Sequence, residues 1–286
     1  FLRSATKPAT SSSDTPTGCQ HRGPGASRYP HTVRDDELLG VLDATAAAVA
    51  AALAADLVGR PDDTRDRGGR PGQYRIDLVA DEAALGVLRA AGVGILSEES
   101  GLEDPDNDLV VVVDPVDGST NASRGIPWYA TSLCAVDAEG PRAALVVNLA
   151  TGTRYQALRG GGATRDGAPI QPSRATTIPD SLLVLNGYAP THLGWRQYRS
   201  LGATALDLCS VADGRVDGTV DCTDSALGPW DYLGAMLVLS EAGGHLADAQ
   251  GRELVVLDHG ARRTPVSAGT PELLEALMAA RTGTAP

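Results

Sequence analysis

An unbroken run of apolar residues, LVVVV at positions 109–113, ends directly in the polar stretch DPVDGSTN at positions 114–121. Four successive valines favour an extended strand, and a run without polar interruption is typical of a strand that is buried. Gly, Pro, Asn and Asp are also the common residues of turns, so an ordinary polar loop is the simplest interpretation of the segment after the valines. Whether these carboxylates form a functional site depends on which other residues of the chain lie beside them in the fold.

Helical and extended patterns alternate along the chain from residue 35 onward. Leu38, Leu42, Val49 and Leu53 recur at helical spacing after the acidic start at Asp35, and they predict a first helix. Further helices are predicted at about 81–92, 204–213, 229–243 and from residue 271, and strands near 93–96, 109–113, 130–136, 143–149, 154–158, 181–187, 216–220, 245 and 266. Mixed strands and helices without an internal repeat predict an α/β layered sandwich.

Charge and cysteine usage narrow the class of protein. The 286 residues carry a formal net charge of −12, which argues against nucleic acid as a partner, because neutralising phosphates requires clustered Lys and Arg. The most apolar stretch, 44–58, is mostly alanine and contains Asp56, so it indicates a soluble helix and no membrane partner. The four cysteines have neither metal-site nor disulfide-scaffold spacing, which predicts a reducing, cytoplasmic location: they are Cys19, Cys134, Cys209 and Cys222.

Four short acidic motifs lie where predicted elements begin or end. They are DLVAD at 77–81, EE at 98–99, DPVD at 114–117 and WD at 230–231. Taken singly, each has an ordinary interpretation as a helix cap, a solvated turn or a carboxylate facing a helix dipole. Taken together, carboxylates gathered at strand ends repel one another unless cations neutralise them, and oxygen ligands select Mg²⁺, Mn²⁺ or Ca²⁺.

The DPVDGST segment has the parts of a metal and phosphate site. Pro115 stiffens the turn, so that the side chains of Asp114 and Asp117 and the carbonyl of Val116 can face one point. A short helix beginning at Gly118 would present free backbone N–H groups to a phosphate oxygen. Metals held by carboxylates beside a phosphate are the components of metal-assisted phosphoester hydrolysis, in which no side chain is phosphorylated.

These motifs resemble those of a known family. DPVDGSTN, the upstream SEES at 97–100, ALDLCSVADGRVDG at 205–218 and WDYLGAMLVLSEAGG at 230–244 are similar to the inositol monophosphatase family, in the same order and from about residue 35 to the last helix. The resemblance implies a layered α-β-α-β-α sandwich of the sugar-phosphatase type with mixed sheets. It also implies a lithium-sensitive, Mg²⁺-dependent phosphatase that acts on a small soluble phosphate monoester.

By similarity, each motif residue receives a role. Metal ligands would be Glu98, Asp114, Asp117 and Asp231 with the carbonyl of Val116. The attacking water would be oriented by Asp77 and Ser119, where Ser119 replaces the family's Thr, and Glu99 would support the site. Phosphate would bind at Gly118, Ser119 and Thr120, and the substrate side would be lined by Gly202, Ala203, Thr204 and Asp221, with Asp224 a rival to Asp221.

One motif departs from the family pattern. The family has DLVTxxD, whereas this chain has DLVAD, so the path of Asp81 to the metals is altered. We expect two or three Mg²⁺ ions, with Mn²⁺ as a possible substitute, and the third position is the one that this departure affects. None of the histidines lies in a motif, so a histidine nucleophile is not predicted: they are His21, His31, His192, His245 and His259.

The expected organisation has three parts. Residues 1–34, rich in Ser, Thr, Pro and Gly, are predicted to be a disordered N-terminal arm, although their composition also resembles an organelle transit segment. Residues 35–150 would form an N-terminal α+β metal-binding half and 151–286 a C-terminal α/β half.

We expect a homodimer. The substrate remains open among inositol, fructose bis-, histidinol and phosphoadenosine phosphates and a specialised-metabolite precursor, and a non-catalytic regulatory binding protein on this fold is the alternative from another class.

Overall fold

The computed structural model describes residues 33–59, 69, 73–189 and 191–283, without the side chains of 57–59. The described residues from Val33 onward form one compact unit. The predicted arm lies outside the described residues except for Val33 and Arg34. The division predicted near residue 150 stays a prediction, and the strands change from one sheet to another between Pro169 and Leu182.

The first sheet is built from the N-terminal strands. Its order is β2-β1-β3-β4-β5-β6-β7-β8, with β1 parallel to β3 and all other neighbours antiparallel. The strands are β1 (Gly94–Ser97), β2 (Gly101–Glu103), β3 (Val110–Asp117), β4 (Ala130–Asp137), β5 (Gly140–Asn148), β6 (Arg154–Leu158), β7 (Gly162–Arg165) and β8 (Ala168–Pro169). Helices α1 (Asp35–Gly59), α2 (Arg75–Ala91) and the short α3 (Ser119–Ser123) belong to the same part of the chain.

The second sheet is built from the C-terminal strands. It contains β9 (Leu182–Asn186), β10 (Gln197–Arg199), β11 (Gly218–Asp221), β12 (His245–Asp248) and β13 (Pro265–Ala268), in the order β10-β9-β11-β13-β12. The pairs β10/β9 and β9/β11 are parallel, and the pairs with β13 are antiparallel. Helices α4 (Thr204–Ala212), α5 (Pro229–Glu241) and α6 (Pro271–Thr282) complete the fold.

The buried valines of β3 explain the layers. Val111 and Val113 pack with the leucines of α1 and α2 in one core cluster. Val110 and Val112 point to the opposite face and pack with residues of α4 and α5 in a second cluster. A third cluster joins α6 to the far face of the second sheet. A strand covered on both faces needs no polar side, which explains the unbroken valine run. Because helices and mixed sheets alternate in layers, the predicted layered α-β-α-β-α sandwich with mixed sheets is confirmed.

Helix α1 is apolar along its length and buries one side in the core. Residues Asp35–Asp56 are long and apolar enough to cross a membrane by length and composition alone. Leu38, Leu42, Val49 and Leu53 are nevertheless buried against α2 and the first sheet. Only 33% of the apolar stretch is buried, so packing accounts for part of its apolar character, and the expectation of no membrane partner stays a prediction.

Two of the element boundaries that differ from those predicted concern the acidic motifs. Helix α2 begins at Arg75 rather than near residue 81, so Asp77 and Asp81 lie within its first two turns. Strand β3 continues to Asp117, with a register shift against β4 between Asp114 and Asp117. The expected polar loop is thus the irregular end of a strand. Such an irregularity can turn Asp114 and Asp117 to the same side of the sheet, whereas strict alternation would place residues three positions apart on opposite faces.

Candidate metal centre and active site

Three carboxylates from two separate elements meet at one point. Asp114, Asp117 and Asp231 each offer one oxygen, and these atoms all lie within 4.8 Å of one another. Asp114 Oδ1 accepts the N–H of Val116 at 3.0 Å, which fixes the local turn at the end of β3. Asp231 is the third residue of α5, and its Oδ2 accepts the N–H of Gly228 at 2.6 Å. Asp114 and Asp231 are therefore each held by a neighbouring backbone N–H.

Asp117 reaches across to the second half of the chain. Its two oxygens accept the N–H groups of Thr204 at 3.2 Å and Ala205 at 2.7 Å, at the start of α4. Gly118 makes this approach possible, because it has a φ of +84° and a Cβ there would lie 2.9 Å from the Cβ of Ala203. The carbonyl of Gly202 would lie only 3.0 Å away. The structure thus brings the 118–120 and 202–204 segments together.

The carboxyl groups share a strongly unfavourable environment for charge. Burial, followed by the charges of neighbouring carboxylates, raises the pKa of Glu98 to about 8 and that of Asp114 well above its ordinary value. Burial likewise raises the pKa of Asp117 to about 8, and burial and the charge of Asp117 raise the pKa of Asp231 to about 8. Carboxylates in this state bind protons in the absence of another cation.

The geometry and the donor set fit a divalent metal ion. Mg²⁺ binds oxygens at about 2.0–2.1 Å, so two ligands of one ion lie at most about 4 Å apart. The three carboxylates, all within 4.8 Å of one another, come near that limit. Oxygen donors of this kind suit Mg²⁺ and Mn²⁺ rather than soft metals. A bound dication would also neutralise the mutual repulsion that raises the pKa values. Asp114, Asp117 and Asp231 are therefore the residues that would hold a metal.

Glu98 and Glu99 lie in the turn between β1 and β2, and they have different partners. The N–H of Glu98 donates to the carbonyl of Val113 at 3.2 Å, directly before Asp114, which places Glu98 beside the three aspartates but outside their 4.8 Å group. Glu99 accepts a hydrogen bond from the side-chain amide of Gln73, and its own N–H donates to Ser97 Oγ at 3.2 Å. Glu98 is thus placed to join the metal centre, and Glu99 braces the turn.

The two aspartates of DLVAD have separate partners. Asp77 Oδ2 accepts the N–H of Tyr74 at 2.7 Å, and its charge contributes to the raised pKa of Glu98. Asp81 accepts hydrogen bonds from the hydroxyls of Ser97 and Ser100, the residues that flank the glutamate pair. Asp77 therefore lies near the carboxylate cluster, whereas Asp81 holds the turn that carries Glu98.

The residues after Gly118 form a short helix with few hydrogen bonds of its own. Ser119 is the first residue of α3, and the N-cap is Gly118, so no side-chain capping bond is made there. Thr120 Oγ1 donates to Tyr74 Oη at 3.4 Å. The amide nitrogen of Asn121 donates to the carbonyls of Trp128 at 2.8 Å and Leu201 at 2.7 Å, a connection between segments that the sequence did not predict.

The structure separates the two candidates for substrate recognition. Asp221 is 2% exposed at the end of β11, its Oδ1 accepts the N–H of Thr223 at 3.0 Å, and its Oδ2 is buried without a hydrogen-bond partner. Its charge is among the causes that raise the pKa of Asp231, which places it near the metal centre. Asp224 is exposed and forms an ion pair with Arg281. Asp221 thus has a buried acceptor oxygen without a partner, whereas Asp224 is already paired at the surface.

Two residues near the cluster were missed by sequence reasoning. Asp207, on α4, is buried, its Oδ1 accepts the indole N–H of Trp128 at 2.8 Å, and burial raises its pKa to about 7. His259 Nε2 lies 3.0 Å from the carbonyl oxygen of Glu98. The ALDLC motif contains Asp207 but gives no sign of its partner. His259 lies in no motif, and no local pattern signals its contact with residue 98.

The fold and the site together define a class of protein. A layered sandwich in which β3 and the N-terminus of α5 bring buried carboxylates to one point is that of a metal-dependent phosphatase of the sugar-phosphatase type. The sequence model of the inositol monophosphatase family matches residues 36–283, and the chain belongs to that family.

Individual relatives and solved structures agree with this assignment. The chain is 34% identical over 227 residues to a fructose-1,6-bisphosphatase/inositol-1-monophosphatase of Methanothermobacter thermautotrophicus, covering 71% of this chain and 81% of the relative. It is 30% identical over 221 residues to the Nus factor SuhB of Escherichia coli, covering 71% and 80%. The solved inositol monophosphatase of Anabaena superposes with a TM-score of 0.70 at 25% identity, covering 88% of this chain and 97% of that one.

Proposed function

We propose that this protein is a Mg²⁺-dependent phosphatase that hydrolyses a small soluble phosphate monoester, with inositol monophosphates as the preferred class. The observation that carries the proposal is the meeting of Asp114, Asp117 and Asp231 within 4.8 Å in a buried environment that raises their pKa values. Burying mutually repelling carboxylates lowers the stability of the fold, and a metal-dependent activity is a reason for the protein to keep them.

Within this proposal the chain's own residues have distinct tasks. When bound, the metal ions would supply Lewis-acid stabilisation of the phosphate and a lowered pKa for water. Asp114, Asp117, Asp231 and Glu98, with the carbonyl of Val116, would hold them. Asp77 and Ser119 would accept a hydrogen bond from the attacking water and orient it, and Glu99 would keep the turn of Glu98 in place.

Binding of the substrate would involve both halves of the chain. The backbone N–H groups of residues 118–120 would contact the phosphate, and residues 202–204 would line the opposite side, which the close approach of Gly118 to Ala203 supports. Asp221 would accept hydrogen bonds from substrate hydroxyls through its unpaired Oδ2. A carboxylate acceptor favours a polyol phosphate, because a second phosphate at the same position would be repelled.

Release of inorganic phosphate from a panel of esters tests the proposal. The panel contains inositol 1-phosphate, fructose 1,6-bisphosphate, histidinol phosphate and a phosphoadenosine phosphate, each with Mg²⁺, with Mn²⁺ and with EDTA. We expect metal-dependent turnover with the highest kcat/KM on the inositol ester, inhibited by Li⁺. A higher kcat/KM on another ester would change the substrate class. Hydrolysis of none of the panel by the metal-loaded protein would overturn the phosphatase assignment.

A regulatory binding protein is the second candidate, favoured by one observation: the Escherichia coli relative is called a Nus factor. The preserved carboxylate cluster supports catalysis over this alternative, since a binding role alone does not require it. We further propose a homodimer with no nucleic-acid or membrane partner. Sedimentation of the purified protein, with and without Mg²⁺, tests that oligomeric state.

A further inference from the structure

The loop before β13 carries a histidine that contacts the glutamate turn of the first sheet. His259 Nε2 lies 3.0 Å from the backbone carbonyl oxygen of Glu98. A carbonyl oxygen only accepts hydrogen bonds, so Nε2 carries the hydrogen and donates it. This bond fixes the backbone of a residue whose own N–H donates to the carbonyl of Val113 at 3.2 Å, directly before Asp114.

The same histidine ring packs on the tryptophan beside Asp231. The ring centroids of His259 and Trp230 are 4.9 Å apart with an interplanar angle of 33°. The guanidinium of Arg262 lies 5.0 Å from the centroid of the Trp230 ring, and its Nη1 donates to the carbonyl of His259 at 2.8 Å. Trp230 is only 4% exposed, so the contact is part of the interior rather than a surface association.

The loop itself is anchored close to the start of α5. Arg263 and Leu227 exchange two backbone hydrogen bonds, at 2.8 and 3.2 Å, as an isolated antiparallel bridge. Leu227 immediately precedes Gly228, the residue whose N–H is bound by Asp231. His259 therefore extends from a braced loop, and its ring connects the backbone of Glu98 on one side with the Trp230–Asp231 pair on the other.

We propose that His259 is a positioning residue that sets the place of Glu98 relative to Asp231 and thereby the metal affinity of the carboxylate cluster. The inference rests on the proposed metal centre and is independent of which ester is hydrolysed. His259 touches neither substrate nor metal in this role. Its hydrogen bond holds the Glu98 backbone in place. The packing of its ring on Trp230 keeps the imidazole in the orientation that this bond requires.

Two substitutions separate the hydrogen bond from the ring contact. His259→Phe keeps a ring on Trp230 but removes the donor, whereas His259→Gln keeps an N–H donor at a similar distance from the backbone and removes the ring. His192→Phe is the matched control, because His192 also stacks on a tryptophan, Trp195, with centroids 4.2 Å apart, and belongs to a different loop.

The measurement is the dissociation constant of Mn²⁺ by calorimetry on the full chain, together with the Tm in EDTA. Losing the partner that orients a metal ligand typically weakens metal binding by about 10–100-fold. We expect about tenfold weaker Mn²⁺ binding for His259→Phe, recovery to within about threefold for His259→Gln and no change for His192→Phe. At saturating metal, KM for the ester should be unchanged in all three variants.

The outcomes distinguish this inference from the proposed function. Unchanged Mn²⁺ affinity in His259→Phe, with or without a lowered Tm, would show that the histidine only packs, and would overturn the inference while leaving the function intact. Equal losses in His259→Phe and His259→Gln would overturn the role of the hydrogen bond. A wild-type protein that binds Mn²⁺ but hydrolyses no ester would refute the function alone. Absence of Mn²⁺ binding in the wild type would overturn both.

Discussion

Asp117 Oδ2 accepts the backbone N–H of Ala205 at 2.7 Å, across 88 positions of sequence. Asp117 ends β3 in the first sheet, and Ala205 is the second residue of α4. The side chain that supplies one of the three converging carboxylates therefore also accepts hydrogen bonds at the N-terminus of a helix from the other half of the chain. Positive charge at a helix N-terminus stabilises a carboxylate there, which partly offsets the cost of burying it.

Asp117→Asn separates these two tasks. Asparagine still accepts one backbone N–H at the helix terminus, so the free energy of unfolding in EDTA should fall by no more than the roughly 1 kcal/mol of a lost cap. It removes a negative ligand, so the rise in Tm on adding Mg²⁺ should disappear and turnover should fall at least about a hundredfold. Scanning calorimetry with EDTA and with Mg²⁺ measures the first effect, and phosphate release measures the second.

Asp36→Asn is the control for that variant, because Asp36 is an exposed carboxylate in the first turn of α1. It should leave both the Mg²⁺ response and turnover unchanged. Near-normal turnover in Asp117→Asn would contradict the metal assignment.

Stability of the metal-free protein should fall as pH rises from about 5 to about 8. Burial raises the folded-state pKa of Glu98, Asp117 and Asp231 to about 8, whereas unfolded carboxyls titrate near about 4. Between these values the folded state binds more protons, so its free energy of unfolding decreases with pH. Some carboxyls have a lowered pKa, such as Asp137 through its hydrogen bond with Arg159. They change the free energy of unfolding only below about pH 4, so they do not alter the decrease expected between about pH 5 and pH 8.

Mg²⁺ should reverse this trend, because metal binding displaces those protons and becomes more favourable as pH rises. The difference in Tm between Mg²⁺ and EDTA should be small near pH 5 and largest near pH 8. A metal-free protein whose Tm increases over that interval would show that the cluster is not protonated in the folded state.

Ser119→Ala tests whether the hydroxyl acts in chemistry or in folding. Ser119 makes no side-chain capping bond in α3, so its removal should change the free energy of unfolding by less than the roughly 1 kcal/mol of a lost cap. Loss of a hydroxyl that orients water should lower kcat about a hundredfold with little change in KM. Ser119→Thr, which restores the family's usual residue, should keep turnover.

A second serine in the same helix provides the comparison. Ser123 Oγ donates to the carbonyl of Thr120 at 2.8 Å, so Ser123→Ala should lower stability and leave kcat unchanged. If Ser119→Ala behaves like Ser123→Ala, the water-orienting role belongs to Asp77 alone.

Asp221→Asn and Asp224→Asn should behave differently. Asp221 has a buried, unpaired oxygen near Asp231, and its replacement should raise KM for a polyol phosphate about tenfold or more, the scale of a hydrogen bond to a charged group. Asp224 is paired with Arg281 at the surface, so its replacement should change KM by less than about twofold. Steady-state kinetics on the inositol ester decides the matter. The reverse pattern would assign substrate recognition to Asp224.

Much of the architecture could be predicted because it is encoded within short segments. The valine run of β3 has no polar face, so it requires a cover on both sides, and the structure supplies one from α1 and α2 and another from α4 and α5. The spacing of Leu38, Leu42 and Val49 likewise predicts the buried side of α1. Such patterns can be recognised in the sequence because the direction of the side chains repeats every two residues in a strand and every 3.6 residues in a helix.

The start of α2 could not be predicted in this way. Asp77 and Asp81 look like caps of a helix beginning at 81, yet the helix begins at Arg75 and both carboxylates lie inside it. Asp81 instead accepts the hydroxyls of Ser97 and Ser100. The start is instead marked by a local bond, from the N–H of Tyr74 to Asp77 Oδ2, and Tyr is not a residue that commonly caps a helix, so propensity does not signal it.

By itself, the sequence predicted the types of most elements and the acidic motifs, because these depend on residues close together in the chain, whereas the order of the layers and the roles of the carboxylates came from the resemblance of the motifs to a family. The tertiary structure alone decided which carboxylates meet within 4.8 Å, that Asp117 bonds to the start of α4, and that His259 contacts Glu98. These contacts join positions far apart in the chain. Their geometry is set by how the sheets and helices pack, and no local pattern of residues specifies it.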